Sequence, residues 1–160
     1  MSSGNPDRLL LDTVMFNRVL DGRLDLSDFG GCDFFATHIQ LDELANTTNQ
    51  DRKLKLLNIF NCISPYVWKT DSFVLDVSRL NCAMLNVDGT MYNRILSALK
   101  LKEKDRDFGN HERDALVAET ALKNEFILAT DDCNLSCVVR QFGGATISSR
   151  EFASRYRQRT

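Results

Sequence analysis

The feature that most constrains this chain is an alternation. Four short apolar runs, RLLLDTVM (Arg8 to Met15), DFFA (Asp33 to Ala36), FVLDV (Phe73 to Val77) and FILAT (Phe126 to Thr130), are separated by longer stretches with helical patterning. Runs this short and this continuously apolar suit strands covered on both faces. Strands alternating with helices predict an α/β fold, a three-layer sandwich around a mainly parallel central sheet. The length of 160 residues, with no repeat and no Pro/Gly-rich linker, predicts a single domain over 1–160. Its core is expected at about 7–149, followed by a basic C-terminal tail at 150–160.

Smaller signals place the elements. Phe16 to Leu20 begins a helix, and Thr37-His38-Ile39-Gln40 matches a capping box that opens a helix running through Glu43 to about Asn46. Asp51 to Phe60 and Met91 to Leu99 read as helices, and Asn110 as the cap of HERDALVAETALKN. A last strand is expected at Ala145 to Ser148. No uncharged apolar run approaches the roughly 18 residues of a membrane span, and the N-terminal stretch MSSGNPDRLLLD carries no signal-peptide pattern. Five scattered cysteines, at 32, 62, 82, 133 and 137, make no disulfide framework. A reduced, cytoplasmic setting with no membrane partner is therefore expected.

The acids fall at informative places. Asp12 closes the first apolar run, Asp131 and Asp132 close the last, Glu43 lies in the second turn of a helix, and Asp114 lies near a helix start. In open α/β sheets, ligand sites gather beyond the carboxyl ends of strands. Carboxylates converging there repel by roughly 4 kcal/mol per pair at about 4 Å and an effective dielectric of 20, so a hard cation such as Mg²⁺ or Mn²⁺ suits them. Each acid taken alone also reads as an ordinary turn, cap or exposed helix residue.

LLLDT (Leu9 to Thr13), THIQLDEL (Thr37 to Leu44), RDALVAETAL (Arg113 to Leu122) and FILATDD (Phe126 to Asp132) resemble, in order and spacing, the four acidic motifs of PIN-domain nucleases. The likeness runs from about Asp7 to Ser149 and is strongest to the small toxin ribonucleases of bacterial toxin–antitoxin pairs. It implies a PIN-like fold and Mg²⁺- or Mn²⁺-dependent hydrolysis of phosphodiester bonds in RNA. Asp12, Glu43, Asp114 and Asp132 take the places of the catalytic, metal-holding acids, with Thr130 as the polar neighbour in the Thr-x-Asp turn. The resemblance also implies an antitoxin protein and a homodimer as partners. It departs from the family at Val14-Met15, where many small members have Asn, and at Asn134, where some place a further acid. The alternative is a catalytically inactive PIN-like binding or assembly module. A phosphatase reading fails because position 14 is Val, where Asp-x-Asp needs Asp, and a phosphoacceptor reading leaves Glu43 and Asp114 without a role.

The remaining candidates are bland. His38, inside the capping box, reads as solvated or as a neighbour of the site, and His111 as an exposed helix-start residue. Cys133 and Cys137 lack a second pair for zinc. The stretch from Lys100 to Asp107 alternates in sign and reads as a solvated loop. The net charge is -2, yet Ser136 to Thr160 holds five arginines against Glu151. That segment suits either a phosphate backbone or mere solubility.

Overall fold

The computed structural model describes residues 6–84, 88–102 and 110–157. Five strands, β1 (Arg8–Leu11), β2 (Asp33–Thr37), β3 (Tyr66–Trp68), β4 (Ile127–Ala129) and β5 (Ala145–Ile147), form one sheet in the order β3-β2-β1-β4-β5. Every neighbouring pair is parallel, with Leu10 opposite both Phe35 and Leu128. Helices α1 (Thr13–Leu20), α2 (His38–Ala45), α3 (Gln50–Ile63), α4 (Thr90–Lys102), α5 (Asn110–Lys123), α6 (Cys133–Gln141) and α7 (Ser149–Tyr156) cover it. The expected three-layer sandwich is what the chain forms.

The alternation of side chains along β1 explains the layers. Leu10 points into a core built with Tyr92, Ile95 and Leu99 of α4, the apolar stripe of α5, and Leu135, Val138 and Val139 of α6. Leu9 and Leu11 point the other way, into a core of Met15 and Phe16 of α1, Leu56 and Phe60 of α3, and Phe152 and Tyr156 of α7. All three leucines are fully buried, which is why this strand reads as an unbroken apolar run. Helix α2 serves both cores, giving Ile39 to one and Leu44 to the other.

Several elements differ from the sequence-based expectation. The first strand ends at Leu11, because Asp12 accepts the Thr13 N–H and starts α1 three residues before the expected Phe16. Phe73 to Val77 is no strand: the segment turns, with Val77 N–H on the Val74 carbonyl and Asp76 at φ 65°. The third strand is instead Tyr66–Trp68, three residues on the sheet edge, where a short length gives no readable period. Lys100 and Lys102 belong to the last turn of α4, and Lys100 pairs with Glu112; positions 103–109, the rest of the expected charged loop, lie outside the described residues. Asn110, expected as a cap, lies within α5 as the element's first described residue.

The segment expected as a basic tail at 150–160 instead continues, up to Tyr156, the helix α7, whose Phe152 and Tyr156 are buried. Ser148 and Glu151 start it with a complete capping box. Between α6 and β5 the chain passes Leu122 so closely that a Cβ on Gly144 would meet its Cδ2 at 2.6 Å and Val139 Cγ1 at 2.7 Å. Only glycine fits that approach.

Candidate active site

The strand order reverses between β1 and β4, since the chain moves outward from β1 to β2 and β3 and then returns to β1's other side. A crevice opens beyond the carboxyl ends of two strands at such a switch point. Asp12 follows β1 directly and Asp132 follows β4 by three residues, so both acids stand at this crevice. The Asp12 N–H bonds the Ala129 carbonyl at 3.0 Å, which ties the two strand ends together.

Two threonines hold the acids. Asp12 Oδ1 accepts the Thr13 N–H at 2.7 Å, and its Oδ2 accepts the Thr130 hydroxyl at 2.6 Å. Thr130, itself buried, accepts the Asp132 N–H at 3.1 Å through the same hydroxyl oxygen. Asp132 Oδ1 caps α6 on the N–H groups of Asn134 and Leu135. The Thr13 hydroxyl donates to Glu43 Oε2, which links α1 to α2. The Thr37–Gln40 capping box, present as expected, is what sets α2's start and thereby the position of Glu43.

Burial pushes the Asp12 carboxyl up from 3.8 to about 6. The Thr130 hydroxyl and the Thr13 N–H work against that rise, while the negative charges of Glu43 and Asp132 add to it. Asp12, Glu43 and Asp132 thus lie within electrostatic reach of one another.

Asp114 arrives from the other side. A two-residue turn at Asn124 and Glu125 reverses the chain between α5 and β4, with Glu125 at φ 55°. Asp114 lies nine residues before the end of α5, about 14 Å at the helical rise. Phe126 to Ala129, the end of β4, spans about 10 Å at the strand rise. The helical rise therefore carries the partly buried Asp114 to the level of the carboxyl end of β4 or just past it, towards the sheet edge of the other three acids.

Among the described residues, no three His, Cys, Asp or Glu side chains form a group tight enough to hold a metal ion. The donor chemistry nonetheless fits a hard divalent cation. The side chains offer oxygens alone, and a neighbouring positive charge would reverse the rise in the Asp12 pKa. Asp12, Glu43, Asp114 and Asp132 are the residues that would hold it, with water completing its coordination.

Asp131, adjacent to Asp132, does different work. Its carboxylate accepts Arg18 Nε at 2.7 Å and both the N–H and hydroxyl of Ser149 at 2.8 Å. Burial opposes its charge, but the Ser149 N–H, Arg18 and the Ser149 hydroxyl outweigh burial and hold its pKa below the ordinary value. Asp131 ties α1 to α7. Sequence gave no hint of this, because its partners lie 113 and 18 positions away.

His111 is not where it was expected, and one of the two readings of His38 is excluded. His38 is buried, and burial lowers its pKa against the opposing charge of Asp42, so it is not solvated. His111 is buried at the start of α5 rather than exposed. All five cysteines are free, with Cys133 and Cys137 exposed. Of the C-terminal arginines, Arg155 pairs with Asp7 at 3.1 Å, Arg157 pairs with the buried Asp28 at 3.2 Å, and Arg140 donates to Thr146. Arg159 lies outside the described residues.

No protein-family model and no curated protein matches this sequence. Solved structures do. The complex FitAcB from Neisseria gonorrhoeae is 19% identical over 87% of this chain and 96% of that one, with a TM-score of 0.48. VapBC2 from Rickettsia felis, bound to a DNA fragment from the complex's promoter, is 14% identical over 88% of this chain and 98% of that one, with a TM-score of 0.46. Likenesses of this degree leave activity and partners to be argued from the site itself.

Proposed function

We propose that the protein is a divalent-metal-dependent endoribonuclease. The observation that carries this reading is the placement of Asp12, Glu43 and Asp132 at the strand-order reversal, where burial and mutual repulsion raise the Asp12 pKa to about 6. That is a site short of one positive charge. Mg²⁺ or Mn²⁺, when bound, would supply that charge, polarise a water molecule and stabilise the oxyanion that develops at phosphorus.

The chain's own residues then have distinct tasks. Thr130 and the Thr13 N–H fix both oxygens of Asp12, so its carboxylate meets the crevice in one orientation. Glu43 is held through Oε2 by Thr13, which leaves Oε1 to take the proton of the attacking water. Water adds its oxygen to phosphorus, the P–O bond to the neighbouring nucleotide breaks, and the departing oxygen is protonated. Asp114 and Asp132 complete the acidic lining. In the toxin-type version of this reading, an antitoxin protein closes the crevice and a second copy of the chain pairs with the first.

Cleavage of labelled single-stranded RNA by the purified protein, with Mn²⁺ or Mg²⁺ and in parallel with EDTA, is the test. Cleavage that disappears with EDTA and in Asp114→Asn is the expected result. Absence of cleavage together with absence of metal binding by calorimetry would leave the alternative, an inactive binding or assembly module of the same fold.

A further inference from the structure

A second charged cleft adjoins the acidic one. It has a volume of about 530 Å³ and is lined by Arg18, Arg23, Arg150 and Arg157 together with Ser149 and Ser154. No carboxylate lines it. Arg18 is matched by Asp131 and Arg157 by the buried Asp28, each through its guanidinium. Arg23 and Arg150 are exposed, and among the described residues neither side chain makes a hydrogen bond or an ion pair. Two uncompensated guanidinium groups therefore face one concave space in a protein whose net charge is -2. This is a local focus of positive charge, not general attraction for polyanions.

We propose that this cleft is a phosphate-binding subsite for single-stranded RNA, engaging the strand beside the acidic crevice; the assignment rests on the nuclease reading. Planar guanidinium forks match phosphate oxygens two at a time, and the Ser154 side chain at the lining adds a hydroxyl. Asp131 joins the two clefts: it binds Arg18 and Ser149 of this one and precedes Asp132 of the other. The groove continues past Arg23 and Arg157 towards Leu24 and Asp25, where two hydrogen bonds from Ser27 hold the Asp25 carboxyl below its usual pKa. That negative charge ends the positive run, so the cleft takes one or two phosphates rather than a long tract. Ala153 is the one apolar residue of the lining, and no aromatic ring is among the lining residues. A protein partner would want an apolar centre, and base recognition would want a stacking ring. Backbone phosphate fits what is there, without preference among bases.

The experiment measures binding of a short single-stranded RNA oligonucleotide in EDTA, by fluorescence anisotropy across a salt series, so that cleavage plays no part. The Arg23→Ala/Arg150→Ala double variant removes only exposed side chains and is compared with Lys69→Ala/Arg94→Ala, a charge-matched variant outside the cleft. The cleft variant is expected to bind about tenfold more weakly, and its slope of log affinity against log salt to fall by about 1.4, while the control keeps the wild-type slope. Equal slopes in all three proteins would overturn the subsite, whether or not the wild type cleaves RNA. Tighter binding of an oligo-glutamate peptide than of RNA, lost in the cleft variant alone, would overturn it in favour of an acidic protein segment. A drop in affinity and slope for RNA in a protein that cleaves nothing supports the subsite and removes only the nuclease reading.

Discussion

In the acidic crevice, like charges face one another, and burial with neighbouring Glu43 and Asp132 raises the Asp12 pKa to about 6. In the arginine cleft beside it, four cations line one concave space, but two of them have carboxylate partners in the protein, Asp131 and Asp28. The first site is assembled at a cost to folding that a bound cation would relieve. The second is largely neutralised from behind, leaving Arg23 and Arg150 to face solvent. The difference teaches that removing a charge should have opposite consequences in the two places. It should help folding where charges are crowded and alike, and harm folding where a buried opposite charge is left behind.

The largest expected effect is on chemistry. Asp12→Asn should reduce metal-dependent RNA cleavage by at least about a hundredfold, since even outer partners of metal sites are worth 10–100-fold. A rate measured under single-turnover conditions checks this. A variant that cleaves within a few-fold of wild type would remove Asp12 from the machinery. Next in size, Arg157→Met should lower the urea midpoint of unfolding. It strands the Asp28 carboxylate, which is 2% exposed and also accepts the Asp25 N–H. An unchanged midpoint would mean that water already screens the pair.

How much of this contrast was legible in the sequence follows from distance along the chain. Asp12 and Asp132 each close an apolar run, and the Thr37–Gln40 box announces the helix that carries Glu43; these are local signals. The box at Ser148 and Glu151 was equally local, with Phe152 and Tyr156 four apart behind it, but the surrounding arginines made the segment read as a tail. Strand β3 gave three residues and no period, while FVLDV had strand composition in a place the chain turns. The arginine cleft was beyond reach. Arg18 and Arg23 come from one end of the chain and Arg150 and Arg157 from the other, and only α1 and α7 lying on the same face of the sheet unites them.

The same Asp12→Asn change should stabilise the metal-free protein by about 1–2 kcal/mol at pH 7.5. The sign follows from the folded pKa of about 6, above the 3.8 of a free carboxyl. Well below pH 3.8 the group is protonated in both states and costs folding nothing. As pH rises through 6, folding opposes its ionisation and the penalty becomes complete. The gain in the variant should therefore shrink as pH falls towards 4, in thermal melts run with EDTA. A gain independent of pH would point to packing instead. Thr130→Val should act in the reverse sense and more weakly, at about 1 kcal/mol of stability, because it removes a hydroxyl that favours the charged form of Asp12. The acid limb of the cleavage profile should move to higher pH in that variant.

The smallest expected effect belongs to Arg23→Ala/Arg150→Ala. Neither side chain pairs with anything among the described residues and both are exposed, so unfolding free energy should stay within about 0.5 kcal/mol of wild type. At low salt a slight gain is expected, from relief of repulsion among the four guanidinium groups, and it should vanish as salt rises and screens them. This near-silence gives the comparison its edge. Arg157 and Arg150 line the same cleft on the same helix or its end, yet one should cost the fold dearly and the other nothing, because only Arg157 answers a buried carboxylate. Equal losses from both would mean that the cleft is held together by arginine packing rather than by Asp28, and the contrast with the acidic crevice would then be one of shape, not of charge.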